Sequence, residues 1–230
     1  MSEYLRETFS WLMGKTRRRD NKDNNNQSSI AQEASKDYLQ DANLLQCLVP
    51  ESKLKELVIL PHGVDQNEWL ALHTIAFFEN INLLYGTISE FCTSVGCPDM
   101  IGPENRIYHW QDEKGKRLKL TAPHYTDFVM TFTHRTINDE SIFPTKFDRE
   151  FPTNFDQVVK KIHQSLIHVL SHIYHSHFRE VYDLGLHPHL NCIFSHLVLL
   201  SDQFKSLGFD SQDGSATSLP GAKISKLINK

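Results

Sequence analysis

Two pairs of metal-binding residue types, some eighty residues apart, constrain this sequence more than any other feature. Cys92 and Cys97 are separated by four residues in FCTSVGCPDM, where the Gly-Cys-Pro at 96–98 predicts a turn that directs both sulfurs inward. The segment SHIYHSHF supplies His172, His175 and His177. An H-x4-H spacing falls in the range of structural zinc sites, so the two segments would have to meet in the folded chain.

Helical phase distinguishes the three histidines. At roughly 100° per residue, His177 falls on the apolar face of a helix that begins near residue 156, His172 lies at its flank and His175 is opposite. We therefore prefer His172 and His177, although they lie roughly 140° apart on an ideal helix, so that the helix end must distort or the metal must sit astride it. The alternative is that the cysteines are small core residues and the histidines belong to an amphipathic helix. Spacing alone leaves both interpretations open.

Composition excludes several classes of protein. The chain has 230 residues, 40% of them apolar, which is enough for one sizeable core. A net charge of -4, from 24 basic and 28 acidic residues, gives no general attraction to nucleic acid or anionic membranes. No apolar run is long enough for a signal peptide or membrane span, so we expect a soluble intracellular protein with reduced thiols. Cys47 and Cys192 have no neighbouring ligands in the sequence, and we expect them to be buried or inert.

The chain divides into three parts by composition. Residues 1–37 are predicted to be a flexible leader, because the segment TRRRDNKDNNNQSS is charged and rich in Asn. Residues 38–210 are predicted to form one helical domain. Residues 211–230 mix Gly, Ser and Pro with few apolar residues, which predicts a flexible tail.

The domain is predicted to be mostly α. Apolar residues at three-to-four spacing predict helices over Asn67–Phe91, Tyr125–Ile137, Asp156–Val181 and His189–Phe204. Asp65 or Asn67 is the expected N-cap of the first of these helices. Alternation around Gly115 predicts a short β-hairpin over Ile107–Leu120. The expected fold is a compact helical bundle with a short β-hairpin; if all four metal ligands bind, it is held together by a structural zinc that keeps no open position for chemistry.

Signatures of catalysis are missing from the sequence. It contains no glycine-rich phosphate loop, no nucleophile elbow and no HExxH, so we do not expect an enzyme. Trp69 follows Glu68 at a predicted helix start, where an aromatic beside an acid is either a binding hot spot or part of the core.

The motifs together resemble the MOB family of kinase co-activators, over about Leu57 to Leu207. The resemblance rests on NEWLALHTIAFFENINLLYGTISEFCTSVGC, YHWQDEKGK, TAPHYTDFVM, FPTKFDREFP and HIYHSHF, in this order and spacing. It implies one structural Zn2+ bound by Cys92, Cys97, His172 and His177. It also implies a compact helical bundle with a short hairpin.

Within that family the leader SWLMGKTRRRD, the stretch VDQNEWLA and FPTKFDREFP are most similar to the type-2 proteins. This implies a non-catalytic adaptor that binds the N-terminal regulatory segment of an NDR-type Ser/Thr kinase and modulates its activity, in Hippo/NDR signalling, in the cytoplasm and nucleus. Asp65, Glu68 and Trp69 are the residues carried over for contact with a basic kinase helix. Val64 departs from the acidic residue of type-1 members. The alternatives are a phocein-type scaffold in a kinase/phosphatase assembly and, from another class, a zinc hydrolase.

A second departure concerns phosphopeptide recruitment. Type-1 members hold phosphorylated partners with basic residues on the long helix, but this sequence has Gln164, Ser165 and His168 at those positions. Because Arg and Lys are replaced there, charge-assisted phosphate bonds are lost, and we expect a degraded phosphopeptide pocket.

Overall fold

The structure is a computed structural model, and it describes residues 46–112, 115–146 and 148–205. The predicted leader 1–37 and tail 211–230 lie outside these residues. The described residues form six α-helices and one two-stranded antiparallel sheet, which confirms the mostly α class. The elements are α1 (Glu51–Leu57), α2 (Gln66–Ile88), a 3-10 turn (Pro103–Asn105), β1 (Trp110–Gln111), β2 (Arg117–Leu118), α3 (Ala122–Ile137), α4 (Phe155–Ser176), α5 (Phe178–Asp183) and α6 (His187–Lys205).

Helix α2 begins where its capping signal predicts. The carboxylate of Asp65 accepts hydrogen bonds from the backbone N–H groups of Asn67 at 2.8 Å and Glu68 at 3.1 Å, which satisfies two donors that a helix start leaves without partners. The helix packs against α3, α4 and α6. It ends at Ile88, three residues before the predicted end, because the chain there turns into the Cys92 segment.

Helices α3 and α6 both begin earlier than predicted, for the same reason. Each carries a proline in its first turn, at Pro123 and Pro188. Proline lacks a backbone N–H. In the first turn of a helix this breaks no hydrogen bond, because the N–H groups there have no acceptor within the helix. The predicted boundaries left each proline outside the helix, which was wrong by three residues for α3 and two for α6.

The prediction of one helix over Asp156–Val181 was wrong at its C-terminal end. Helix α4 stops at Ser176, His177 has φ −131° and ψ 15°, and a separate short helix, α5, follows. After the bend, Phe178 is 3% exposed and stacks on Tyr174, whose ring also contacts Phe194 of α6.

The predicted hairpin is present but shorter than expected. Trp110 pairs with Leu118 and Gln111 with Arg117, while Gly115 takes the left-handed φ of +77° that the turn requires. Before the hairpin, a bridge between Ile101 and Ile107 closes a loop that approaches α4. None of the helices within the described residues is long and apolar enough to cross a bilayer.

Candidate metal centre

The two cysteines lie on a tight turn that follows α2. The backbone N–H of Cys97 donates to the carbonyl of Thr93 at 2.8 Å, and the N–H of Gly96 donates to the Thr93 hydroxyl at 3.0 Å. The carbonyl of Cys97 in turn accepts from the N–H of Ala122, the first residue of α3. These bonds fix the turn between two helices and hold both sulfurs toward α4.

On an ideal helix His172 and His177 would lie roughly 140° apart, and the bend after α4 brings them together. His172 is still within α4, whereas His177 has left the helical path, and their rings come to 5.2 Å between centroids. His172 Nε2 lies 3.6 Å from the sulfur of Cys92, and His177 Nε2 lies 3.4 Å from the sulfur of Cys97. The distorted helix end, one of the two predicted solutions, is the one observed.

Four donor atoms therefore converge at one buried point. The ligand atoms of Cys92, Cys97, His172 and His177 all lie within 4.8 Å of one another, and the residues are between 1% and 9% exposed. Within the described residues no other group of three or more His, Cys, Asp or Glu meets this condition.

The arrangement fits a tetrahedral metal ion. With bond lengths of about 2.3 Å to sulfur and about 2.05 Å to nitrogen, a tetrahedral zinc site has a sulfur–nitrogen edge of about 3.6 Å. The two observed sulfur–nitrogen separations, 3.6 and 3.4 Å, match that edge. Two thiolates and two imidazoles are also a donor set typical of structural zinc. The site can hold a metal ion through four protein ligands.

Two neighbours that sequence reasoning missed support these ligands. His172 Nδ1 lies 2.8 Å from the carbonyl of Ile101, so Nδ1 carries the proton and Nε2 is left with a lone pair facing the sulfurs. The side chain of Tyr85 lies near the sulfur of Cys92 and lowers the pKa of that thiol, against the larger effect of burial. Tyr85 precedes Cys92 by seven residues, two turns of α2, and this spacing was the one sequence signal for the contact.

Burial keeps the ligands uncharged when no metal is bound. It raises the pKa of Cys92 to about 12 and also raises the pKa of Cys97, and it lowers the pKa of His172 to about 4 and lowers that of His177. A bound cation would favour the thiolate form of Cys92 and Cys97 over the thiol form, because its positive charge stabilises the thiolates and displaces their protons.

The three residues predicted for kinase contact lie at the start of α2. Asp65 and Glu68 are exposed, whereas Trp69 is only half-buried and packs edge-on against His73, with ring centroids 4.4 Å apart. The indole N–H of Trp69 is buried and has no hydrogen-bond partner among the described residues.

The predicted phosphopeptide positions lie on one side of α4. His168 Nδ1 is 2.8 Å from the Tyr125 hydroxyl, and its ring stacks on Tyr108 at 4.0 Å. The Ser165 hydroxyl donates to the backbone carbonyl of Lys161 at 2.8 Å. Gln164 is partly exposed.

Comparison with known proteins identifies the family of the chain. The Mob1/phocein family matches residues 46–212. The chain is 50% identical over 200 residues to "MOB kinase activator-like 2" of Drosophila melanogaster, covering 87% of this chain but 34% of that protein. It is 45% identical to human "MOB kinase activator 2", covering 86% of this chain and 81% of that protein. It is 43% identical to the Dictyostelium discoideum "MOB kinase activator-like 1 homolog A", covering 75% of this chain and 82% of that protein. The chain thus spans about a third of the length of its fly relatives, and it is more similar to these two type-2 proteins than to the type-1 homologue. On this evidence the chain belongs to the Mob1/phocein family.

Proposed function

We propose that this chain is a non-catalytic adaptor that binds the N-terminal regulatory segment of an NDR-type Ser/Thr kinase and modulates its activity. The printed names of its relatives describe kinase activators, which supports a kinase partner. The observation that carries the proposal is the exposed face at the start of α2.

That face combines acidic and apolar side chains at helical spacing. Asp65, Glu68, Leu72 and Glu79 follow one another at intervals of three, four and seven residues, so they lie along one side of α2. Leu72 is 57% exposed, unusual for a leucine in a helix that buries most of its apolar residues. We call these four residues the α2 stripe. A basic amphipathic helix could place apolar residues on Leu72 and cations beside the carboxylates.

Trp69 has a different part in this proposal. Because its ring packs on His73 and its N–H is buried, it supports the helix start and presents only one edge to a partner. Its substitution would disturb folding as well as binding, which makes it a poor first test. The exposed acids Asp65 and Glu68 are better suited.

We further propose that the metal is zinc and that its role is structural. Four protein donors at tetrahedral separations would leave no position for a water molecule or substrate. This supports an adaptor over the zinc hydrolase considered above, since hydrolysis needs an open coordination position. The bound ion would join α2 and the cysteine turn to the end of α4.

The test is binding of the purified chain to a fluorescent peptide from the regulatory segment of an NDR-type kinase, measured by anisotropy. We expect Glu68→Lys to weaken binding at least tenfold, about 1.4 kcal/mol, because it repels a basic helix. Glu90→Lys is the matched control, since it reverses an exposed charge just beyond the other end of α2 and should leave affinity unchanged. Equal affinity for all three proteins would exclude the α2 stripe as the docking surface. Failure of every protein to bind, with folding intact, would favour a phocein-type scaffold.

We also propose that this chain is not recruited by a phosphothreonine docking motif in the type-1 manner. His168 is held between Tyr108 and Tyr125, and the Ser165 hydroxyl is used within α4, so neither presents a fixed cation. The nearby ammonium of Lys161 lies over the ring of Phe132, at 4.8 Å from its centroid. Titration with a phosphothreonine docking peptide should give no binding in the low micromolar range, and binding at that affinity would contradict the proposal.

A further inference from the structure

Cys47 and Cys192, which were expected from the sequence to be buried or inert, are brought together by a hydrogen-bonded junction. The backbone carbonyl of Gln46 accepts from the side-chain amide of Asn191 at 2.8 Å, and the Gln46 side-chain oxygen lies 3.1 Å from His187 Nε2. Asn191 also accepts from the buried hydroxyl of Tyr174 at 2.7 Å. The segment that precedes α1 is therefore tied to α6 at the residues adjacent to both cysteines.

The two thiols lie close to each other at this junction. Cys192 is within hydrogen-bonding reach of Cys47, and both cysteines are thiols rather than members of a disulfide. Cys47 is partly exposed, whereas Cys192 is buried, at 9% exposure. A small reagent would therefore reach Cys47 before Cys192.

The environment of Cys47 favours its reactive form. The hydrogen bond from Cys192, helped by the backbone N–H groups of Val49 and Leu48, lowers the pKa of Cys47 to about 7 against the opposing effect of burial. A thiol whose pKa lies near neutrality is present in large part as thiolate at physiological pH, whereas an ordinary cysteine is mostly protonated there. Cys92 differs, because burial raises its pKa to about 12.

We propose that Cys47 and Cys192 are a peroxide-sensitive pair that closes into a reversible disulfide between the segment before α1 and helix α6. This inference does not depend on kinase binding or on the metal. In reducing compartments, disulfides of this kind are usually transient and redox-sensing.

The chemistry balances with hydrogen peroxide as the oxidant. The Cys47 thiolate attacks one peroxide oxygen, the O–O bond breaks, and the departing hydroxide takes up a proton to become water. The Cys192 sulfur then attacks the sulfenic acid of Cys47, the S–S bond forms, and the sulfenic hydroxyl leaves with the Cys192 proton as a second water. Two thiols are oxidised, and one peroxide is reduced to two waters.

Tryptic digestion separates all the relevant cysteines. Cys47 falls in peptide 37–53, Cys192 in peptide 180–205, and both Cys92 and Cys97 in peptide 56–106. The full chain is treated with a few equivalents of hydrogen peroxide, its remaining thiols are blocked with N-ethylmaleimide, and the digest is analysed without reduction by mass spectrometry. We expect peptide 37–53 linked to 180–205, reversal of the link by dithiothreitol, and its loss in Cys47→Ser and Cys192→Ser. Oxidation of Cys47 to a sulfinic acid with no linked peptide in the folded wild-type chain would overturn the proposal.

A second measurement tests the contact without oxidation. The rate at which Cys47 is alkylated is followed from pH 5 to 10 in the wild type, Cys192→Ser and Cys192→Ala. Serine keeps an O–H donor, so its profile should remain near that of the wild type, whereas alanine should move the midpoint upward and slow alkylation several-fold at pH 7. Identical midpoints for wild type and Cys192→Ala, with unchanged thermal unfolding, would show that the thiols do not interact and would likewise overturn the proposal.

Discussion

His172 and Ile101 are joined by a hydrogen bond of 2.8 Å between the ring Nδ1 and the backbone carbonyl. The bond orients the ring so that Nε2 points at Cys92, and it connects the metal centre to the loop between the cysteine turn and the hairpin. The geometry of the centre therefore depends on a loop whose residues contribute no ligand.

Replacement of one ligand should remove the metal. We expect the wild type to retain one equivalent of zinc after dialysis and His177→Ala to lose it, because only three protein ligands would remain and water would fill the fourth position. His175→Ala is the control, since it removes an imidazole two residues away that is outside the group of four. Metal content is measured by mass spectrometry of the elements. A full equivalent of tightly held zinc in His177→Ala would contradict the ligand assignment.

Removal of the metal from the wild-type chain should destabilise the fold. The ion would join segments eighty residues apart, so its binding free energy adds to the stability of the folded state. We expect a strong chelator to lower the midpoint of thermal unfolding by about 10 °C or more, with recovery on addition of zinc. A midpoint that does not respond to chelation would rule out a stabilising role.

Gly102 is required by the close approach of Tyr108. A Cβ atom on Gly102 would lie 2.5 Å from a ring carbon of Tyr108, so Gly102→Ala must displace the ring or the loop that carries the Ile101 carbonyl. We expect a loss of about 1–3 kcal/mol in urea unfolding and weaker zinc retention. Gly86→Ala is the contrasting variant, because it meets no atom within 4 Å on an exposed part of α2 and should stabilise by about 0.5–1 kcal/mol. Equal effects of the two substitutions would refute this explanation.

Acid should destabilise the protein through three buried histidines that are outside the group of four candidate metal ligands. Burial lowers the pKa of His163 to about 3, and of His73 and His196 to about 4, and these three rings share contacts with Phe77. Unfolded histidines take up protons near pH 6.5, so the unfolded chain binds more protons than the folded chain below that pH. The stabilisation is fully present above pH 6.5 and is lost as the pH falls toward 4.

His163 gives the clearest test of this pH dependence. Its Nε2 lies 2.9 Å from the Thr74 hydroxyl, which itself donates to the Leu70 carbonyl, so the neutral ring donates to Thr74. Each such histidine should cost about 2 kcal/mol between pH 7 and pH 5. The difference in unfolding free energy between pH 7.5 and 5.0 should therefore be smaller by about that amount in His163→Asn than in the wild type, whatever its absolute stability. An unchanged difference would show that His163 does not contribute.

Asp65 has two roles that can be separated by substitution. As the N-cap of α2 it accepts two backbone hydrogen bonds, and as an exposed acid it belongs to the α2 stripe. Asp65→Asn should keep the cap and change the unfolding free energy by only a few tenths of a kcal/mol, whereas Asp65→Ala should lose about 1 kcal/mol. If kinase binding uses the charge, both variants bind more weakly. Weaker binding by Asp65→Ala alone would assign the effect to the cap.

The sequence predicted the parts of the fold that depend on local signals. The cap at Asp65, the turn at Gly115 and the apolar spacing of α2 and α4 each act within a few residues, so one chain is enough to find them. The bend at His177 was not predicted, because HIYHSHFREV contains no glycine or proline to mark the end of a helix. The same holds for the support of His172 by Ile101, which depends on a loop 71 residues away in sequence.

The separation of the two ligand pairs also affects the order of events during synthesis. A zinc finger gathers its ligands within one short segment, whereas here the second pair emerges from the ribosome some eighty residues after the first. Closing so long a loop has an entropic cost that docking of α2 on α4 must offset, so packing has to precede coordination. The nascent chain would therefore mature in two stages: its helices pack first, and the ion binds last. The supply of the ion in the cell would then determine what fraction of the packed bundles binds it.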